Sequence, residues 1–287
     1  MSQCAPKYQD SYQGFSCFTK DALMKIVDAY NRKNNDKIKI NKNNTKKDIW
    51  MAIQDKLKAN CGENNETCWL EQGFLKPYHS DLEDYFKPIA PQGRYQWLTT
   101  EDISKVMRQF AEKYSDFRFL GPFPIDFLEL TDTEAYYLQR LNLNQCPEKK
   151  LGLVFNLDPS TKSGSHWVAM FINNLTKEIC FFDSYGDRHT YPNKYKLPFL
   201  DSHGKMQSVD QAMPMPAELQ LFVRRLLDQT PEYNLKINTI QHQYANSECG
   251  VYSMLFIIRM MRNESFEGIA KAIMIDEEVN KKRLELF

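Results

Sequence analysis

Two apolar runs, WVAMFIN at 167–173 and EICFFD at 178–183, are joined by the polar NNLTKE. Short apolar runs bounded by turn residues predict strands, and so brief a connection makes them an antiparallel hairpin. A turn centred on Leu175–Thr176 sets Val168 opposite Asp183 and leaves His166 diagonal to Asp183 on the same face. Diagonal neighbours lie ~7–8 Å apart at the backbone, within reach of an imidazole–carboxylate hydrogen bond. A register slip of one residue would send the two side chains to opposite faces, so the pairing depends on that turn.

Around this hairpin, 287 residues leave room for about two domains. Residues 20–58 carry eleven Lys and Arg against five Asp, although the whole chain balances 37 basic against 37 acidic side chains. A whole-protein grip on nucleic acid or an anionic membrane is excluded, whereas a local one through residues 20–58 is not. Leu23, Ile26, Val27 and Tyr30 stand at helical spacing, as do Ile49, Trp50, Ile53 and Leu57, with Thr19 and Thr45 as N-caps. Residues 1–60 therefore read as a basic helical module with an extended connection between its helices. Its bland alternative is a solvated basic face on a helical hairpin.

Residues 61–95, rich in proline and glycine, read as a linker packed on the domain C-terminal to it. Residues 96–287 read as an α+β domain with a small antiparallel sheet. Its helices are expected at TTEDISKVMRQFAEKY (capped by Thr99 or Thr100), at PAELQLFVRRLLDQ and at CGVYSMLFIIRMMR, with a charged helical end. Strands are expected at LGLVFNL and KINTIQ besides the hairpin. No stretch approaches 18 consecutive apolar residues and the start lacks a signal-peptide pattern, so a soluble, non-secreted protein is expected.

The seven cysteines are odd in number, scattered and without a CxxC pair, which favours free thiols in a reduced compartment over a disulfide framework. Cys61 and Cys68 are separated by six residues with no obvious fourth ligand beside His79, so ordinary thiols are expected there rather than zinc. Cys249 differs from the rest because it stands where the polar loop QYANSE meets an apolar helix. Unpaired N–H groups at a helix N-terminus favour a thiolate, and a neighbouring His can hold its proton. Gly250 allows close packing behind the nucleophile, and Gln243 can bring its amide beside the Cys249 N–H as a second oxyanion donor. The plain alternative is a small buried hydrophobe.

The order His166–Trp167, Asp183, Gln243, Cys249–Gly250 resembles the SUMO/ubiquitin-like-protein-specific and adenovirus-type cysteine proteases. The likeness covers about residues 95–262, including WLTTEDI at 97–103. FLGPFPIDF at 119–127, the NLD…GSHWVAMFI stretch and the basic N-terminal extension are similar to the polyprotein-processing proteases of nucleocytoplasmic large DNA viruses. The resemblance implies an adenovirus-protease-like fold with a central helix. It also implies a triad of His166, Asp183 and Cys249, with Gln243 at the oxyanion. Trp97 and Trp167 would flank a narrow channel for a Gly-Gly segment; their alternative is two core tryptophans. Asp187, four residues beyond Asp183, is a rival orienting acid that falls past the strand.

The chain thus reads as a cysteine endopeptidase cutting after Gly-Gly in viral structural polyproteins, working in the host cytoplasm and virion. No metal or organic cofactor is needed for such acyl transfer. Rivals are removal of SUMO or ubiquitin-like modifiers, and a nucleic-acid-binding or scaffold protein with an inactive protease domain.

Overall fold

The computed structural model describes residues 3–287, and they form two compact units, residues 3–89 and 90–286, with Phe287 grouped with the first. In the first unit, α1 (Lys20–Lys33) and α2 (Lys46–Cys61) start where their caps predict. The Thr19 side chain accepts the Ala22 N–H, and Thr45 forms a reciprocal capping box with Asp48. Leu23, Ile26 and Val27 of α1 and Ile49 and Ile53 of α2 meet in a core that includes Phe18 and Trp69.

The linker expected over 61–95 is corrected by this core. Residues 61–89 fold into α3 (Glu66–Leu70) and α4 (His79–Glu83), and their Trp69, Leu70, Leu75, Leu82 and Phe86 complete the first unit. Two helices alone offer too little apolar surface to close a core, and these residues supply the missing side.

The expectation of free thiols is also corrected. Cys4 is bonded to Cys17 and Cys61 to Cys68, leaving Cys146, Cys180 and Cys249 free. Both bridges close short loops within the small first unit, where covalent staples supplement a limited core. Between them lies Glu66, buried and accepting from Ser16 Oγ, the Cys17 N–H and Trp50 Nε1.

The second unit is built on a seven-stranded sheet, ordered β1-β2-β3-β4-β7-β5-β6. The strands are β1 (Phe117–Pro124), β2 (Lys150–Asn156), β3 (Trp167–Asn173), β4 (Glu178–Phe182), β5 (Phe199–Leu200), β6 (Met206–Gln207) and β7 (Asn234–Ile237). The antiparallel expectation holds for β2–β3, β3–β4 and β5–β6, but β1–β2, β4–β7 and β5–β7 are parallel. The sheet is therefore mixed rather than small and antiparallel. Strand β1 escapes a pattern reading because Pro122 and Pro124 interrupt it, which an edge strand tolerates.

Helices cover both faces. Val168, Met170 and Ile172 of β3 share a core with Leu219, Phe222 and Val223 of α7 (Ala217–Gln229). On the other face Phe182 stacks on Phe256 of α8 (Cys249–Met261), with ring centroids 4.9 Å apart. Residues of β2 and β3 are buried almost throughout, which explains their uninterrupted apolar sequence. Helix α5 (Thr100–Lys113) begins at a second capping box, Thr99 with Asp102. Helix α6 (Thr133–Gln139) adds an element that the sequence pattern does not announce, and the charged C-terminal stretch divides into α9 (Phe266–Lys271) and α10 (Asp276–Leu286). Among the described residues, no helix is long and apolar enough to cross a membrane.

Candidate active site

The hairpin adopts the register expected of its turn, with Ala169 opposite Phe182 and Met170 opposite Phe181. His166 immediately precedes β3 and Asp183 immediately follows β4, so both stand at the hairpin's open end. There His166 Nε2 lies 2.7 Å from Asp183 Oδ1, with both side chains buried. Asp187, the rival acid, is exposed in the turn beyond the strand. The chain turns sharply after Asp183 at Gly186, which has φ +59°; a Cβ there would lie 2.5 Å from the Ile240 carbonyl carbon.

Cys249 is the first residue of α8 and is 4% exposed. Cys249 acts on the His166 ring, whose Nε2 is engaged by Asp183. Burial pulls the His166 pKa down, but hydrogen bonds and charge attraction from Asp183 and Cys249 outweigh it and raise the value from 6.5 to about 10. An imidazolium is thereby favoured beside the Cys249 sulfur, which sits at the positive end of a helix. Gly250 lets this helix start approach closely, because a Cβ there would meet Leu98 Cδ1 at 3.2 Å and Trp167 Cδ1 at 3.3 Å.

Gln243 is fully buried and held at both ends of its amide. Oε1 accepts from Ser184 Oγ at 2.7 Å, and Nε2 donates to the Ala245 carbonyl at 2.9 Å. One amide hydrogen is left for a ligand. Trp167 is buried and donates from Nε1 to the Leu98 carbonyl at 3.0 Å, whereas Trp97 is 46% exposed. Both line a cleft of about 410 Å³ that also includes Pro124, Asn156, Gly164 and Ser165.

Several contributors carry no signal in the sequence. Tyr185 donates its backbone N–H to Asp183 Oδ1 at 2.8 Å, stacks its ring on His166 and donates its hydroxyl to the Ala245 carbonyl at 3.2 Å. Asn238 Nδ2 holds the Asp183 carbonyl at 2.8 Å. His242, adjacent to Gln243, lies apart from the chemistry: Nε2 meets the Ala270 carbonyl at 2.9 Å, and burial lowers its pKa. A thiol at a helix start with an imidazole and a carboxylate in series are the groups that thiol-based acyl transfer requires.

Residues 151–287 match the model of the Ulp1 protease family, C-terminal catalytic domain. Over its whole length the chain is 28% identical to a protein of Acanthamoeba polyphaga mimivirus assigned by name to the thiol proteases, covering 93% of that protein. It is 26% identical to a SUMO-1 cysteine protease of African swine fever virus over 84% of this chain and 88% of that one. The crystal structure of an African swine fever virus protease shares the fold. Its TM-score is 0.63 at 21% identity, covering 100% of this chain and 95% of that one.

Proposed function

We propose that the chain is a cysteine endopeptidase that cuts on the carboxyl side of Gly-Gly and processes viral structural polyproteins during virion maturation. The observation that carries the chemistry is the contact of His166 with both Asp183 and Cys249. Cys249, as thiolate, attacks the scissile carbonyl carbon, and the carbonyl oxygen becomes an oxyanion received by the Cys249 N–H and the free Gln243 amide hydrogen. His166, protonated, gives its proton to the leaving amine as the C–N bond breaks, leaving a thioester on Cys249. It then takes a proton from water, whose oxygen attacks the thioester; the C–S bond breaks, releasing the acid and restoring the thiolate beside the protonated His166. Asp183 orients the ring and stabilises its charged form.

Selection for glycine is read from the cleft that Trp97 and Trp167 both line. A residue without a Cβ threads between close walls, and one added methyl in a rigid slot costs ~1–3 kcal/mol, or about ten- to a hundredfold in rate. The test is a peptide series ending in Gly-Gly, Gly-Ala or Ala-Ala before the cut, run beside a capsid precursor and a SUMO conjugate, with Cys249→Ala as the control. Preferred cutting of the precursor and of Gly-Gly supports the reading. Equal cutting of Ala-Ala removes the glycine slot. The name of the African swine fever virus relative favours a second reading, removal of a SUMO-like modifier, and preferred cutting of the conjugate would establish it instead.

A further inference from the structure

The last helix, α10, turns three side chains toward the loop that leads into Cys249. Asp276, Asn280 and Arg283 succeed one another at helical spacings of four and three, which places them along one face. Asp276 Oδ2 accepts the backbone N–H groups of Tyr244 at 2.9 Å and Ala245 at 3.0 Å. Asn280 Nδ2 donates to Glu248 Oε1 at 3.0 Å and to the Arg94 carbonyl at 2.8 Å. Arg283 donates from Nε to Glu248 Oε2 and from Nη2 to Glu248 Oε1, each at 3.2 Å, and from Nη1 to the Gln96 carbonyl at 2.7 Å.

The Glu248–Arg283 pair is deeply buried, at 1% and 3% exposure. A buried ion pair adds little stability over an apolar pair of similar size, but its paired, directional bonds fix geometry. Here they fix the residue before the nucleophile and, through Gln96, the one before Trp97. Asp276 acts one step further on. The Ala245 carbonyl accepts from Gln243 Nε2 and from Tyr185 Oη, while the Ala245 N–H is held by Asp276. Freeing Ala245 releases the anchor of both side chains.

We propose, resting on the protease reading above, that Asp276, Asn280 and Arg283 are positioning residues. Helix α10 clamps the loop 244–248 so that the Gln243 amide and the Cys249 N–H converge on one point, where the oxyanion forms. The clamp serves acyl transfer rather than substrate binding or formation of the thiol–imidazole pair.

Asp276→Ala is the clean test, because the residue is only half-buried and neither end of the Glu248–Arg283 pair is touched. Full-length wild type, Asp276→Ala and Asp276→Asn are compared for kcat and KM on a Gly-Gly peptide, for iodoacetamide labelling of Cys249, and for thermal unfolding. Loss of an oxyanion donor costs about 100- to 1000-fold in kcat, and misplacing one should cost part of that, about tenfold or more. The expected result is that loss in Asp276→Ala with KM and labelling rate within about twofold of wild type. Asp276→Asn, which retains an acceptor oxygen, should recover to within about threefold. A kcat within about twofold of wild type in Asp276→Ala overturns the clamp. So does a loss that Asp276→Asn fails to recover, or one shared by the labelling rate or traced to unfolding. A wild type that cuts no Gly-Gly peptide overturns the protease reading first, and the clamp's role with it.

Discussion

The Tyr185 ring lies flat on the His166 imidazole, with centroids 4.4 Å apart and planes inclined by 12°. One face of the proposed base is thereby closed to solvent, and the same residue's N–H and hydroxyl tie the Asp183 carboxylate to the loop before Cys249. Stacking of this kind adds about 0.5–1.5 kcal/mol beyond the area buried. Tyr185→Ala should lower kcat on a Gly-Gly peptide by about tenfold, and Tyr185→Phe, which keeps the ring, by no more than about threefold. Equal losses in both variants would show that the hydroxyl matters and the stacked ring does not.

Thiol titration separates the cysteines. Unfolded protein kept without reductant should show three reactive thiols and reduced protein seven, because two bridges hold the other four. In the folded protein Cys249 should label first with iodoacetamide. Burial pushes the Cys180 thiol well up, and burial together with a hydrogen bond to Glu148 raises Cys146 to about 11. Labelling of Cys146 as fast as Cys249 would sink the activated-thiol argument.

Removing the orienting acid should hurt less than removing the base. His166→Ala should leave almost no cleavage, Asp183→Ala a measurable remainder, and Asp187→Ala nearly full activity, as read in kcat/KM. A larger loss from Asp187→Ala than from Asp183→Ala would contradict the 2.7 Å contact as the working pair.

The raised His166 pKa also couples folding to pH. The folded state holds the proton more tightly than the unfolded chain, so this contribution is fully present below pH ~6.5 and fades as pH rises toward about 10. The difference in Tm between wild type and His166→Ala should therefore be larger at about pH 6 than at about pH 9.5. The opposite trend would mean that the imidazole is neutral in the folded protein.

The first unit offers Lys25, Lys33, Lys39, Lys42 and Lys47 as exposed cations. If it serves location or packaging, deleting residues 1–89 should spare cutting of a short peptide and abolish a nucleic-acid affinity that weakens steeply with salt. A folded truncate that no longer cuts the peptide would make the unit part of the enzyme. Cutting at residue 60 would be a poor test, since Trp69, Leu75 and Phe86 would be left without their core.

What is legible in the sequence is local. Thr19, Thr45 and Thr99 mark their helix starts because a cap is read within four residues, and the hairpin register comes from a single turn. Strand β1 is hidden by prolines that are harmless only at a sheet edge, a position no local pattern reveals. The cysteine bridges and the Glu248–Arg283 pair join residues whose meeting depends on the completed fold. Tyr185 lies two residues after Asp183, yet only its ring orientation shows what it does.

Helix α8 is buried at eleven of its thirteen positions, and its first residue is Cys249, the proposed nucleophile. Cys249 therefore belongs to the same rigid body as the hydrophobic interior. A change of substrate that required the thiol to move even slightly would have to repack that interior at the same time. Adaptation has an easier route through the half-exposed Trp97 and the loop from Asp158 to Ser165, which border the cleft without supporting the sheet. Diversification within such a lineage should be concentrated there, so that new substrates are acquired by redrawing the rim while the chemistry stays fixed.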